Sequence, residues 1–391
     1  MTPPQETGRG GRELPTGSEP DSVSSASSPR GASGHASRRA EALASRLRAD
    51  GGWWPFDRFM AFALYAPGLG YYARDTLKFG AMPASGSDFV TAPELSPLFG
   101  ATLAAQVAQA LEATATHEVV EFGPGSGALA AQLLQALGDR CRRYTLVELS
   151  ASLRARQAQR LAPWADRVHW ADAWPEAIEG VVVGNEVLDA MPVQLLHFDG
   201  SAWFERGVAL DDAGALTWAD RPTALRPPRE TALPGAVVEI HPQAEAFVRG
   251  LAERLVRGVA LFIDYGFPEH EYYHPQRHGG TLMAHRAHVA DTDVLADPGE
   301  KDLTAHVNFS GIALTAQDAG LDVLGYTSQA RFLLNCGLAD RLQHADLPAR
   351  NAAHRLLAEH EMGELFKVLA LGRGVHLPLM GFAAGDRSHT L

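Results

Sequence analysis

The chain has 391 residues, roughly two and a half times a ~150-residue domain, which excludes a single small module. Apolar residues make up 46% and charged residues 20%, enough side chain for a sizeable core, so a protein disordered throughout is excluded too. With 34 basic against 46 acidic residues the formal charge is −12, a field that repels phosphate backbones, and nucleic acid is not an expected partner.

Residues 1–40 are rich in Pro, Gly, Ser and Arg and poor in large apolar side chains, so they are expected to form a disordered tail. They contain no apolar run of the kind a secretory signal needs, and Glu6, Glu13, Glu19 and Asp21 argue against a transit peptide. The only cysteines, Cys141 and Cys336, lie far apart, so neither a disulfide framework nor a thiolate zinc site is implied and a cytoplasmic location is expected. No apolar run approaches the ~18 residues of a membrane span, and the chain is expected to be soluble.

Residues 41–117 are expected to form a helical cap segment. Trp53, Trp54, Phe56, Phe59, Met60, Phe62 and Leu64, at near-helical spacing, read as core, and Ala66-Pro67-Gly68 is a turn. Gly86 to Gly100 reads as a loop, and Ala101 to Ala115 as a helix. From Glu118 strands alternate with helices. A strand runs into the glycine-rich turn Glu121 to Gly127, and an amphipathic helix follows over Ala128 to Leu137. Strands at Tyr144–Glu148, Arg167–Trp170 and Val181–Gly184 come next, with a helix over Ser152–Leu161. Residues 193–235 read as an antiparallel insertion with Asp-Gly turns. A helix over Gln243–Val256 and a fifth strand over Val259–Asp264 return to the pattern, residues 267–310 read as a lid-like region, and Leu321–Tyr326 with residues beyond Gly374 are expected to supply the last strands. The fold class is α/β: a doubly wound, mostly parallel Rossmann-like core spanning 118–391, with a helical N-terminal segment and an antiparallel insertion.

A glycine-rich turn between strand and helix brings backbone N–H groups close to a ligand. Two ligands compete for it. Gly123, Gly125 and Ala128 fit a dinucleotide fingerprint, which makes an NAD-dependent dehydrogenase the alternative. Glu121, Gly123, Gly125 and Gly127 equally fit a loop that holds S-adenosylmethionine. Glu121 favours the second, because a carboxylate before the first glycine opposes a pyrophosphate and suits an α-ammonium group. Ligands of such sheets bind beyond the carboxyl ends of the strands, and those ends carry Glu121, Glu148, Asp172, Asn185-Glu186 and Asp264. Glu148 is expected to grip the ribose hydroxyls and Asp172 to accept from the adenine amino group.

Six ordered segments carry a resemblance: Gly70-Tyr71-Tyr72, Asp88 to Ser96, Glu121 to Gly127, Asn185 to Val193, Asp264-Tyr265-Gly266 and Asp302 to Phe309. With them the chain resembles the MidA family of class I S-adenosylmethionine-dependent methyltransferases, from about residue 50 onward. The resemblance implies a seven-stranded core, S-adenosylmethionine as cofactor and methyl transfer to a protein side chain. The family includes a mitochondrial complex I assembly factor that methylates arginine on a complex I subunit, so a protein substrate, with a respiratory complex I subunit as the example, is the implied partner. Ser126 stands where family members often carry Arg. The resemblance also suggests that the segment from Thr91 to Glu94 folds over the cofactor; an N-cap followed by a first-turn acid is the plainer reading.

Methyl transfer from a sulfonium needs alignment and exclusion of water more than covalent catalysis. A guanidinium acceptor would also need a carboxylate to orient it and take its proton. Glu186 and Asp189, with Asn185, are the candidate catalytic residues, and His306 and Asp264 the candidate substrate contacts. His270, His274, His278, His285, His288 and His306 crowd one region, but Pro275 and Gly279-Gly280 break any helix through them, so no metal is expected. A non-catalytic assembly factor that keeps the cofactor pocket is the alternative outside enzymology, and the oligomeric state, homo-oligomer included, is open.

Overall fold

The computed structural model describes residues 30–73, 91–230, 233–286 and 289–391. Most of the expected tail, the Asp88–Val90 part of the second motif and His288 lie outside the described residues.

Seven strands form one sheet: β1 (Glu118–Phe122), β2 (Arg143–Val147), β3 (Val168–Ala171), β4 (Ile178–Asn185), β5 (Leu255–Phe267), β6 (Asp322–Ser328) and β7 (Phe366–Arg373). Their spatial order is β6-β7-β5-β4-β1-β2-β3, and a short strand, Val307–Asn308, pairs parallel with the end of β5. The pairs among β1 to β5 are parallel, whereas β7 runs antiparallel to both β5 and β6.

The central strands are apolar throughout because both faces are covered. Val181, Val183, Val259, Leu261 and Ile263 point into one cluster with Phe99, Leu103, Leu129 and Leu133. Their alternates Val182, Ala260 and Phe262 point into another, with Val248, Leu251 and Ile312. The last strand corrects the expectation, since no residue after Gly374 is in a strand. The buried run Phe366–Arg373 takes that place, and Gly374, at φ 66°, ends it.

Helices α1 (Arg30–Ala49), α2 (Phe56–Tyr65), α3 (Ala92–Leu95), α4 (Pro97–Thr114), α5 (Ala128–Leu137), α6 (Ala151–Arg160) and α7 (Pro242–Arg254) connect and cover this framework. Two boundaries differ from expectation. Helix α1 begins at Arg30, inside the stretch expected to be tail, and beyond that stretch Leu43 and Leu47, four apart, bury one face of it. Helix α4 starts earlier than Ala101 because Ser96 caps it, accepting from the Leu98 amide, and Pro97 fits the first turn.

Trp53–Pro55 is a strand rather than the start of a helix. It pairs antiparallel with Trp203–Leu210, the central strand of the inserted sheet, whose other members are Gln194–Phe198, Leu216–Pro222 and Val237–Ile240. The region after β5 holds a second small sheet of Met283–Arg286, Val289–Asp291 and Asp302–Thr304. Leu43, Trp54, Phe59, Leu195, Val208, Ala284 and Leu303 share one apolar cluster, so three segments far apart in sequence pack as one body.

Candidate active site

A cavity of about 690 Å³ opens where the carboxyl ends of β1, β2 and β4 meet residues of that body. Its size lies within the roughly 300–1,000 Å³ of small-molecule sites. The glycine loop forms part of its wall. Gly123, Gly125 and Gly127 have φ of 62°, 51° and 78°, the left-handed region that disfavours any side chain. At Gly123 a Cβ would also come within 2.9 Å of Val187 Cγ2.

Glu121, Gly123, Gly125, Glu148, Asn185, Glu186, Asp189 and Thr91 all line the cavity. Gly127, Glu94, Asp172, His306 and Asp264 do not. Gly127 caps α5, and Asp172 is exposed. Glu94 pairs with Arg160 at 2.8 Å and accepts from Ser126. His306 packs against the rings of Tyr265 and Phe267, and burial pushes its imidazole down to about 4, so it is neutral at pH 7. Asp264, only 1% exposed, serves the backbone: its Oδ2 accepts from the amides of Val187 (3.1 Å), Leu188 (2.8 Å) and Asp189 (3.3 Å). Sequence reasoning placed it against substrate, whereas it holds the loop that carries Glu186 and Asp189.

That loop is braced from two further sides. Tyr65 donates to the Ala190 carbonyl at 2.7 Å, and the Ala305 amide donates to the Asp189 carbonyl at 3.0 Å. Glu186 itself sits at φ 54°, an uncommon conformation for a residue with a side chain, of the kind that concentrates at functional sites. Its carboxylate accepts from Asn185 Nδ2 at 2.9 Å and from the Tyr265 hydroxyl at 3.4 Å.

Burial raises the acids here. Glu121 goes up to about 7, although Tyr144 donates to it at 2.6 Å and pulls it down. Glu186 goes up to about 8, by burial and then by the charge of Asp264. Burial also raises Asp264, to about 7, against four backbone amides that favour its ionised form. Burial first, and then the charges of Asp264, Glu186 and Asp302, raise Asp189 well above the carboxylate range, against the Ala190 amide, which lowers it.

Four lining residues were missed by sequence reasoning: Tyr65, Tyr72, Tyr265 and Asp302. Three of them lay in plain view within motifs, in Gly-Tyr-Tyr, Asp-Tyr-Gly and the Asp302 to Phe309 segment. Gly70 fits only as glycine, because a Cβ there would meet the backbone of Tyr65 and Ala66 at 2.6 Å. The close turn stacks Tyr72 on Tyr65 at 5.7 Å, and the Tyr72 hydroxyl reaches Asp302 at 2.9 Å.

Five acids line the cavity (Glu121, Glu148, Glu186, Asp189 and Asp302), and no Lys, Arg or His does among the described residues. Sheet, glycine loop and cavity together define a Rossmann-like α/β protein with a site for a cationic ligand.

Comparison with known proteins narrows this class. The family described as S-adenosyl-L-methionine-dependent methyltransferase matches residues 102–327, more than half of the chain. The chain belongs to that family, as its MidA-like motifs imply. A crystal structure of a Burkholderia thailandensis protein bound to S-adenosyl-homocysteine is 52% identical, covers 94% of this chain and 100% of that one, and superposes with a TM-score of 0.90. The mixed α/β structure thus has a central sheet resembling a methyltransferase fold. The protein arginine methyltransferase NDUFAF7 homolog, mitochondrial, of Drosophila melanogaster is 30% identical over 93% of each chain. The human protein arginine methyltransferase NDUFAF7, mitochondrial, is 29% identical over 73% of this chain and 70% of its own.

These findings decide between the readings of the glycine loop: the cofactor is S-adenosylmethionine and the chain is a methyltransferase. They also correct the cytoplasmic expectation, because the curated relatives are named mitochondrial. Two buried free cysteines suit any reducing compartment and so never distinguished one from another. No helix among the described residues is long and apolar enough to cross a membrane.

The side chains fit the cofactor. Five carboxylates suit a sulfonium and an ammonium, and the buried oxygens Asn185 Oδ1 and Asp189 Oδ1 have no hydrogen-bond partner among the described residues.

Proposed function

We propose that this chain methylates arginine in a protein acceptor, at the loop after β4. The observation that carries the proposal is the acid-lined cavity, in which Glu186, Asp189 and Asp302 gather with no basic side chain among the described lining residues. A guanidinium supplies both the positive charge and the N–H donors that this group of acceptors calls for. The names of the curated relatives as protein arginine methyltransferases support the same reading.

When bound, S-adenosylmethionine supplies an electrophilic methyl group on a positively charged sulfur. The glycine loop offers its backbone to the amino-acid and ribose portion, Glu148 accepts from the ribose hydroxyls, and Glu121 faces the ammonium. Thr91 lies at the edge of the same cavity and contributes a hydroxyl. Glu186 and Asp189 hold the guanidinium in line with the methyl group, and Asn185 fixes Glu186. A methylated guanidinium must shed one proton; the positive charges of the bound sulfonium and guanidinium favour the ionised form of Glu186, which then takes that proton and passes it to water.

The strand order, with β7 reversed between β5 and β6, supports a seven-stranded class I core over 118–391. The segments 41–117, 193–235 and 267–310 then act together as a cap over the cofactor. The acceptor implied by the family resemblance, a respiratory complex I subunit, is the first to seek. Purified protein, tritiated S-adenosylmethionine and an extract lacking the native chain form the test. Label recovered as methylarginine after acid hydrolysis supports the reading, and label recovered only on small molecules or on another residue overturns it.

A further inference from the structure

We infer that Gln157 is a positioning residue for the cofactor, joining the glycine loop to the ribose-binding carboxylate through one amide whose orientation Trp170 dictates. The inference rests on the reading that Glu148 takes the ribose. Gln157 lies on α6 and is fully buried. Its Nε2 donates to the Gly125 carbonyl at 2.8 Å and to Glu148 Oε2 at 3.2 Å. Its Oε1 accepts from Trp170 Nε1 at 2.9 Å.

An indole N–H can only donate, so whichever end of the amide faces Trp170 must be the oxygen. The two N–H groups are thereby committed to the other side, where both neighbours are acceptors. An amide turned the other way would oppose N–H to N–H at Trp170, and oxygen to oxygen at Gly125 and Glu148. The second Glu148 oxygen, Oε1, accepts from the Ser150 amide at 2.8 Å. Each oxygen of Glu148 thus has a fixed donor, with the Leu149 amide also favouring the ionised carboxylate, and lone-pair capacity for a hydroxyl remains. The stem of Gln157 also lies against the loop, its Cγ 3.4 Å from where a Cβ on Gly127 would stand. One side chain therefore sets the distance between the two cofactor-binding elements, while touching the cavity itself at no point among its lining residues.

Calorimetry with S-adenosyl-homocysteine and its 2′,3′-dideoxy analogue tests this. Gln157→Met keeps the volume and removes the amide, and it is expected to weaken S-adenosyl-homocysteine about tenfold. It should weaken the dideoxy analogue less, so that the preference for the hydroxylated ligand falls. In a Glu148→Gln background the same change should leave that preference unaltered, because its target is gone. Trp170→Phe, which leaves Gln157 in place but removes the donor that orients it, should lower the preference in the same direction and serves if Gln157→Met fails to fold. If Gln157→Met and Trp170→Phe weaken both ligands equally, Gln157 only supports the fold and the inference is overturned. If the wild-type chain binds both ligands equally, or Glu148→Gln binds like wild type, the ribose reading falls and takes the inference with it.

Discussion

The Oδ2 atom of Asp264, on β5, accepts the backbone N–H of Leu188 at 2.8 Å, in the loop after the neighbouring β4. Val187 and Asp189 donate to the same oxygen, and Tyr265 donates to Oδ1 at 3.0 Å. One buried carboxylate therefore fixes three consecutive residues of the loop bearing Glu186 and Asp189. Asp264→Asn replaces one acceptor oxygen by a donor and leaves amides of the loop or the amide nitrogen without a partner. The expected cost is about 1–3 kcal/mol of stability, with a loss of methyl transfer on the order of a hundredfold from misplaced carboxylates. S-adenosyl-homocysteine affinity should change little, since Asp264 does not line the cavity. Urea unfolding, calorimetry and turnover together check this, and unchanged turnover would remove Asp264 from the explanation of the loop.

The backbone of Glu186 separates conformation from chemistry. At φ 54° it occupies the left-handed region. Glu186→Gly suits that conformation better, and stability should hold or rise, by about 1 kcal/mol at most. Methyl transfer should nevertheless fall by at least about a hundredfold, because the group that orients the acceptor and accepts its proton is gone. Glu186→Gln keeps the contact with Asn185 and should lose similar activity while binding S-adenosyl-homocysteine normally. A stable Glu186→Gly variant of wild-type activity would place the chemistry elsewhere.

The raised acids make the ligand-free protein sensitive to pH. Glu121 and Asp264 at about 7, and Glu186 at about 8, all lie above their ordinary values. The folded chain therefore retains protons that the unfolded chain has released, so this contribution is fully present below about pH 4 and is lost as pH rises through about 7 to 8. Each such group contributes at most about 1.4 kcal/mol per pH unit, less for the partly exposed Glu186, which solvent screens. The melting temperature should fall from pH 6 to pH 8, by a few degrees. Glu121→Gln still accepts the hydroxyl hydrogen of Tyr144 and should flatten the slope. A melting temperature that rises across this interval, or a slope that Glu121→Gln leaves unchanged, would contradict the assignment.

How much of this was legible beforehand follows from the range of each interaction. The glycine loop, β1 to β5 and the loop acids are written in contiguous apolar runs and turn residues, and they were readable. The role of Asp264 was not, because an acid that binds a ligand and an acid that binds three amides look alike in sequence. Trp53–Pro55 was misread as part of a helix because its partner, Trp203–Leu210, lies about 150 residues away and decides its conformation. Tyr65 and Tyr72 reach the cavity only through the turn at Gly70, a tertiary effect of a missing Cβ. Phe366–Arg373 was overlooked as an element; its uniform burial gives the strand no alternation to reveal it.

Helix α3 is tied to the glycine loop by a three-way contact. Arg160, at the end of α6, donates to Glu94 at 2.8 Å and to Ser126 Oγ at 2.6 Å, and Ser126 also donates to Glu94. A partly exposed ion pair of this kind adds little to global stability, about 0–1 kcal/mol. Its effect should appear locally, because α3 follows Thr91 at the edge of the cavity, and the Ala92 amide faces Glu186. Arg160→Met is expected to leave the melting temperature within about 1 °C and to speed release of S-adenosyl-homocysteine several-fold, measured by stopped-flow fluorescence of the chain's tryptophans. Gln132 holds the same segment through the Pro93 carbonyl at 2.7 Å, so Gln132→Met combined with Arg160→Met should release faster than either change alone. Ser126→Arg, the residue family members often carry there, puts a guanidinium within reach of Glu94 and should restore slow release to Arg160→Met. Release rates that are equal in wild type and Arg160→Met would show that α3 is held without the contact.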